Sequence, residues 1–270
     1  MNNNNKKQID VFVVLGAISS LISIGTFVKK IIDNHTVVFS WSYIIALVIA
    51  ILFFLIFAIK RNTTFRYELK KFFVYYFTHT DESLFIERKE SIYIFKDRTH
   101  MEHIKNHVIR SKVSQLCNYS DKFKWSKPQS KAEEDKMLKN LSANGTGCNI
   151  STKRNENWIE YTLNFTGIGK GETKELGITL KNLEDSNMES LLFLSGNVIY
   201  KTKEFLLKVV IEDVSLFPTN IEYKIYNNYA SSFPVFTKKL DFKNEGTKKC
   251  IEYIESKPIP GYRYVISWEF

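Results

Sequence analysis

Nineteen consecutive residues, 41–59 (WSYIIALVIAILFFLIFAI), carry no charge, no proline and no glycine. At about 1.5 Å per residue a helix of that length reaches roughly 28 Å, close to the ~30 Å hydrocarbon core of a bilayer. Inside lipid every backbone polar group needs an internal partner, so a single apolar run has to be a helix. Trp41 and Tyr43 at one end, with Lys60 and Arg61 at the other, suit the two water interfaces. A core helix of a globular domain would show a polar stripe, and this run has none. The expectation is a transmembrane helix.

A second apolar run precedes it. After the polar start MNNNNKK comes VFVVLGAISSLISIGTFV, residues 11–28, closed by Lys29 and Lys30. It is too long for the apolar part of a signal peptide, no A-x-A site closes it, and another span follows at once. Residues 1–60 are therefore expected to form a transmembrane hairpin with spans 11–28 and 41–59. Gly16, Ser19, Ser20, Ser23 and Thr26 recur at spacings of three and four, so they share one helix face. Small polar residues there permit close helix packing or line a narrow water path, which makes these five the candidate pore-lining residues. Lys60, Arg61, Arg66, Lys70 and Lys71 follow the second span, which places both termini in the cytoplasm. Three cysteines without CxxC spacing agree with a reducing compartment.

Residues 61–83 read as a juxtamembrane amphipathic segment, with FRYELKKFFVYYF (65–77) as an interfacial helix. From Leu84 to Phe270 the pattern turns to period two. Tyr161, Leu163 and Phe165 alternate with polar residues, as do Leu176, Ile178 and Leu180. Apolar residues recur at the same spacing of two at Phe205, Leu207, Val209 and Ile211; at Ile221, Tyr223 and Ile225; and at Tyr262, Tyr264, Ile266 and Trp268. Short alternating runs bounded by Gly, Asn and Pro turns predict an antiparallel β-sandwich or barrel over 84–270, the ligand-binding domain. Thr99–Cys117 fits a helix or a strand pair equally well. Lys127–Thr152 reads as a polar loop holding a short helix.

Chemistry is sparse. His100, His103 and His107 have a metal-like spacing on a helix, but no cysteine or suitably placed carboxylate completes a site. No nucleophile elbow, zinc-protease motif or P-loop occurs, and Gly167, Gly169 and Gly171 form a turn between strands. No enzyme, metal or cofactor is expected. The net charge of +9 suits a membrane surface or a phosphate-bearing ligand. The suggestive stretch is YSDKFKWSKPQSK (119–131), in which Lys122 and Lys124 alternate with Phe123 and Trp125. Lys127 follows, and Lys153 and Arg154 near Trp158 form a similar group. Cations beside aromatic rings serve phosphate-plus-base recognition, so Lys122, Lys124, Trp125, Lys127, Lys153 and Arg154 are the candidate nucleotide-binding residues. The plain alternative is a strand with rings in the core and lysines in water.

The hairpin followed by a β-rich domain resembles the membrane effectors of nucleotide-signalling antiphage systems. The channel-forming effector of the Hailong system is the nearer likeness, and the two-transmembrane β-barrel effectors of CBASS systems are the alternative. The closing GYRYVISWEF and the strand-turn-strand around Lys170-Gly171-Glu172 are also similar to β-modules of membrane-anchored defence proteins. The resemblance implies a bacterial inner-membrane ion channel, a homo-oligomer of four chains, gated by a nucleotide or single-stranded oligodeoxyadenylate. A partner nucleotidyltransferase would make that signal. Rival readings are a membrane-anchored adaptor for a protein partner and a membrane-disrupting toxin held silent by an antitoxin.

Overall fold

Strands account for most of the described chain. The computed structural model describes residues 47–54, 57, 61–77, 83–97, 100–124, 135, 138–155, 158–184, 193–213, 215–228 and 230–269. It divides into two units, Met1–Ala58 and Ile59–Phe270.

In the first unit, residues 47–54 are helical, with Phe53 and Phe54 exposed. Among the described residues no helix is long and apolar enough to cross a membrane. This corrects the expected fold class: among the described residues the two-helix transmembrane hairpin is not found, and the inner-membrane and channel expectations built on it are not supported. The 11–28 run, with Gly16, Ser19, Ser20, Ser23 and Thr26, lies outside the described residues.

The second unit opens with helix α1 (Thr63–Phe77). Asn62 caps it, its side-chain Oδ1 accepting the Phe65 N–H at 3.0 Å. Tyr67 is buried, and Val74 packs half-buried against the core. Phe72, Phe73 and Phe77 on the rest of the helix are exposed.

Fourteen described strands follow: β1 (Leu84–Phe95), β2 (His100–Ser111), β3 (Leu116–Lys124), β4 (Leu141–Asn144), β5 (Asn149–Asn155), β6 (Trp158–Ile168), β7 (Thr173–Glu184), β8 (Phe193–Asn197), β9 (Thr202–Ile211), β10 (Thr219–Tyr226), β11 (Phe236–Lys239), β12 (Lys243–Glu245), β13 (Lys248–Ser256) and β14 (Arg263–Glu269). They form a seven-stranded sheet β12-β13-β9-β1-β2-β7-β4, a four-stranded sheet β11-β10-β14-β8 and a three-stranded sheet β3-β6-β5. The large sheet is mixed rather than antiparallel throughout, because β1 and β9 pair parallel. Thr99–Cys117 holds β2 and the start of β3, and the expected 127–152 loop contains β4 and the first residues of β5.

The two smaller sheets cover the same face of the large one. Lys89 and Phe95 are six residues apart on β1 and so point the same way. Lys89 reaches Asp121 of β3 at 2.8 Å, whereas the Phe95 ring meets Trp268 of β14 edge-on at 5.6 Å. One continuous core joins all three sheets. Close backbone approach is needed within the large sheet: a Cβ on Gly177 of β7 would collide with the Lys105 carbonyl of β2.

Candidate functional site

Strand register places Lys89, Ser91, His103, Lys105 and His107 of β1 and β2 inside the core. Lys89 on β1 pairs with His107 on β2, Ser91 with Lys105, and Tyr93 with His103. On these strands His103, Lys105 and His107 are buried, while Ile104 and Val108 on the opposite face are only half-buried. From the covering sheet Asp121 and Tyr161, partners across β3 and β6, descend onto this row.

Asp121 is the hub. Its Oδ2 accepts from Lys89 Nζ at 2.8 Å, Lys105 Nζ at 2.9 Å and the Tyr161 hydroxyl at 3.4 Å. Its Oδ1 accepts the Lys122 backbone N–H at 2.8 Å, and Lys105 also donates to the Lys122 carbonyl at 2.9 Å. Burial alone would raise the Asp121 carboxyl, but Lys105 and Lys89 outweigh it and hold it well below the usual carboxylate range. Burial lowers Lys105 to about 8, with Asp121 opposing the shift and Lys89 adding to it.

His107 fixes its own tautomer. Tyr161 spends its proton on Asp121, so the imidazole Nε2–H donates to the Tyr161 oxygen at 3.2 Å, and Nδ1 accepts from the Tyr119 hydroxyl at 3.3 Å. This is the neutral ring. Burial, reinforced by Lys89, holds His107 well below the ordinary histidine range. Burial and then Lys105 do the same to His103, which bonds Ser91 Oγ at 3.0 Å. Burial and then Asp121 push the Tyr119 and Tyr161 phenols up, so both stay protonated.

Acid, base and cation stand side by side here, yet the cluster is sealed. Relative exposure is 1% at Lys89, 4% at Lys105, 0% at His107 and 3% at Asp121. No substrate reaches these atoms in this conformation. Its chemistry is that of a buried, satisfied ion network that fixes one packing of sheet on sheet.

The outer face of the same three-stranded sheet is accessible. Lys122 and Lys153 both pair across Glu160 of β6, so they flank it in one row. Two strand spacings separate them by roughly 10 Å. The Lys122 ammonium stands 4.9 Å from the Trp158 ring centre, within cation–π range. Ser120 and Thr162 join by a 2.8 Å hydrogen bond on this face.

The candidate nucleotide-binding residues are thus only partly gathered. Lys122 and Lys153 share the outer face with Trp158. Arg154 is exposed but pairs with Ile159, whose side chain is buried, and so belongs to the other face. Lys124 is placed by its backbone alone, opposite Trp158, and Trp125 and Lys127 lie outside the described residues. Sequence reasoning missed Lys89, Lys105 and Asp121. The sequence leaves Thr99–Cys117 open between a helix and a strand pair, and only the partner carboxylate on β3 makes Lys105 buriable. His103 and His107 had been read as a metal spacing. Among the described residues no group of His, Cys, Asp and Glu converges as a metal site.

No family model and no characterised protein sequence matches the chain. In structure it is similar to a putative protease from Parabacteroides distasonis, with TM-score 0.38 and 8% identity over 68% of this chain and 40% of that one. An M1 zinc metallopeptidase from Deinococcus radiodurans follows at TM-score 0.36 and 7% identity, over 69% of this chain and 43% of the other. The chain spans about two fifths of the length of these structures. Likeness at this level carries no argument about activity.

Proposed function

We propose that residues 84–270 form a non-enzymatic receptor domain that binds a nucleotide or single-stranded oligonucleotide on the outer face of β3-β6-β5. In keeping with the resemblance, the ligand is a signal made by a partner nucleotidyltransferase. The observation that supports this reading is the Lys122–Trp158 pair, with Lys153 in register beside it. A ring on which a base stacks and flanking cations for the backbone are the two requirements of sequence-tolerant single-strand binding. The sealing of the Lys–Asp–His cluster favours a binding role over catalysis.

Fluorescence anisotropy of the full chain with a labelled oligodeoxyadenylate tests this. Lys122→Gln with Lys153→Gln is expected to weaken binding and to flatten the log K against log salt slope by roughly 1.4, from about 0.7 per lost phosphate contact. Unchanged affinity and slope would overturn the assignment of this face. A second reading, an adaptor for a protein partner, is favoured by the exposed rings of Phe72, Phe73 and Phe77 on α1. It predicts capture of a partner that Phe73→Ser with Phe77→Ser abolishes, with oligonucleotide binding absent.

A further inference from the structure

A cleft of about 300 Å³ opens between α1 and the β-domain, lined by Lys70, Val74, Tyr75, Lys201, Ile259, Pro260 and Tyr262. Its floor is carbon: Val74, Ile259, Pro260 and the faces of two tyrosines. Its charge is positive. Lys70 Nζ stands 5.1 Å from the Tyr262 ring centre and Lys201 Nζ 4.8 Å from that of Tyr75. Lys257 adds a third cation 5.2 Å from Tyr75 and hydrogen-bonds the Tyr76 hydroxyl at 2.6 Å.

One wall is built in advance. The turn from Lys257 to Tyr262 contains Pro258 and Pro260, and Lys257 and Gly261 have left-handed φ of 51° and 83°. Tyr264 clamps the turn from beneath, its hydroxyl accepting the Ile259 N–H at 2.6 Å and donating to the Ile259 carbonyl at 3.2 Å. The other wall is the helix. It is tied on by Lys71, whose Nζ meets the buried Glu255 carboxylate at 2.6 Å, and Glu255 in turn accepts from Tyr223 at 2.9 Å. An apolar floor with a few convergent charges on a fixed wall is the usual form of a small-molecule site, and this volume lies at the small end of the range.

We propose that this cleft binds a flat organic anion, an aromatic ring carrying one phosphate or carboxylate, and that the ligand fastens α1 to the β-domain. The ring lies against Tyr75, Tyr262 and Val74, and the anionic group meets Lys70 and Lys201. The volume admits one ring with one charged group and no chain of nucleotides, so the site is separate from the outer face of the small sheet and stands whether or not that face binds an oligonucleotide. Because the helix supplies half of the lining, occupancy opposes its release.

Calorimetric titration of the full chain with phenyl phosphate, AMP and benzoate tests the proposal, with inorganic phosphate and adenosine as partial ligands and hydrogen exchange over residues 63–77 as a second readout. Expected are saturable binding of at least one ring-bearing anion at about 1 mM or below, and slower exchange of α1 in its presence. Lys70→Gln with Lys201→Gln should weaken that anion at least about tenfold. Val74→Trp, which fills the floor, should remove binding with the circular dichroism unchanged. AMP without benzoate would point to a phosphate source, and benzoate alone to a carboxylate source; either supports the site. No binding by any ring-bearing anion, equal binding by inorganic phosphate, full retention in the double lysine variant, or α1 exchange indifferent to a bound anion would each overturn it.

Discussion

The two ends of one core row are stabilised by different physics. Under the four-stranded sheet, Phe95, Phe205, Tyr264, Trp268 and Ile266 bury hydrocarbon, with ring contacts at 5.6–5.8 Å between Phe95 and Trp268 and between Phe205 and Tyr264. Under the three-stranded sheet, Lys89, Lys105, His107 and Asp121 bury charge. Apolar packing is non-directional and tolerates small shifts of one sheet over the other. The carboxylate tolerates few, because its two ammonium partners and its tyrosine must all stay within bonding distance. The comparison teaches that the smaller sheet is located by a point, the Asp121 oxygen, and the larger covering sheet mainly by an area, to which the Tyr223–Glu255 hydrogen bond adds one polar contact. The same contrast explains how the outer face of β3-β6-β5 can be polar and open: its position is set from beneath.

Removing the point should have the largest effect. Asp121→Ala leaves two buried ammonium groups facing each other, and a loss of about 3–5 kcal/mol is expected in urea unfolding. A loss below about 1 kcal/mol would show that water enters and that the network is not sealed.

Replacing the whole network sharpens the comparison in the other direction. Lys89→Met, Lys105→Met and Asp121→Leu together make the polar half resemble the apolar half. Stability is expected to hold or to rise by about 1–4 kcal/mol, because the desolvation of the ions is no longer required. If the ions serve to fix the position of the small sheet, this variant keeps its midpoint but shows faster exchange in β3 and β6. Strong destabilisation would mean that the network contributes more than its desolvation costs.

Acid separates the halves with the smallest effect. His103 and His107 are held neutral in the folded state, below the ordinary histidine value of about 6.5. Below that pH the unfolded chain takes up protons that the folded chain does not, so stability falls as pH falls. The contribution is fully present above about pH 6.5 and declines by about 1 kcal/mol per pH unit for each histidine. Asp121, depressed in the folded state, does not titrate in the window from about pH 6.5 to 5. Unfolding measured across that window should show this slope, while His107→Gln should reduce it. The cost of Ile266→Val, about 1 kcal/mol, should be the same at both ends because no charge lies in that contact. A flat profile for the parent chain would mean that both rings are already protonated.

Much of the β-domain was legible in the sequence because the solvent side of a strand announces the buried side. Tyr161, Leu163 and Phe165, Leu176, Ile178 and Leu180, and Tyr264, Ile266 and Trp268 recur every second residue, and all nine are buried, with the intervening Val265 the apolar exception to the alternation. The turns at 167–171 and 258–261 likewise follow from glycine and proline, which act locally. The interfacial helix read over 65–77 lies within α1, although its inward face is Tyr67, Lys71 and Val74 docked on protein. Of the candidate binding residues, the placing of Lys122 and Lys153 on one face with the neighbouring Trp158 was recoverable by counting in twos. Counting in twos also separates Lys153 from Arg154.

What the sequence by itself determined is the inward faces of β6, β7, β9, β10 and β14 and the cationic-aromatic character of the 119–131 stretch, because these depend on neighbours a few residues away. Only the tertiary structure decided the mixed pairing of β1 with β9, the β2 face that buries His103, Lys105 and His107, and the cleft between α1 and the 257–262 turn. Hydropathy counts a lysine as a surface residue. Lys89 and Lys105 lie in the core because Asp121, 32 and 16 residues away, is brought within 2.9 Å of both, and a charge becomes buriable only when its partner arrives from another part of the chain. The 41–59 run is a different case: apolar length states what a helix requires of its surroundings, and among the described residues no helix is long and apolar enough to cross a membrane.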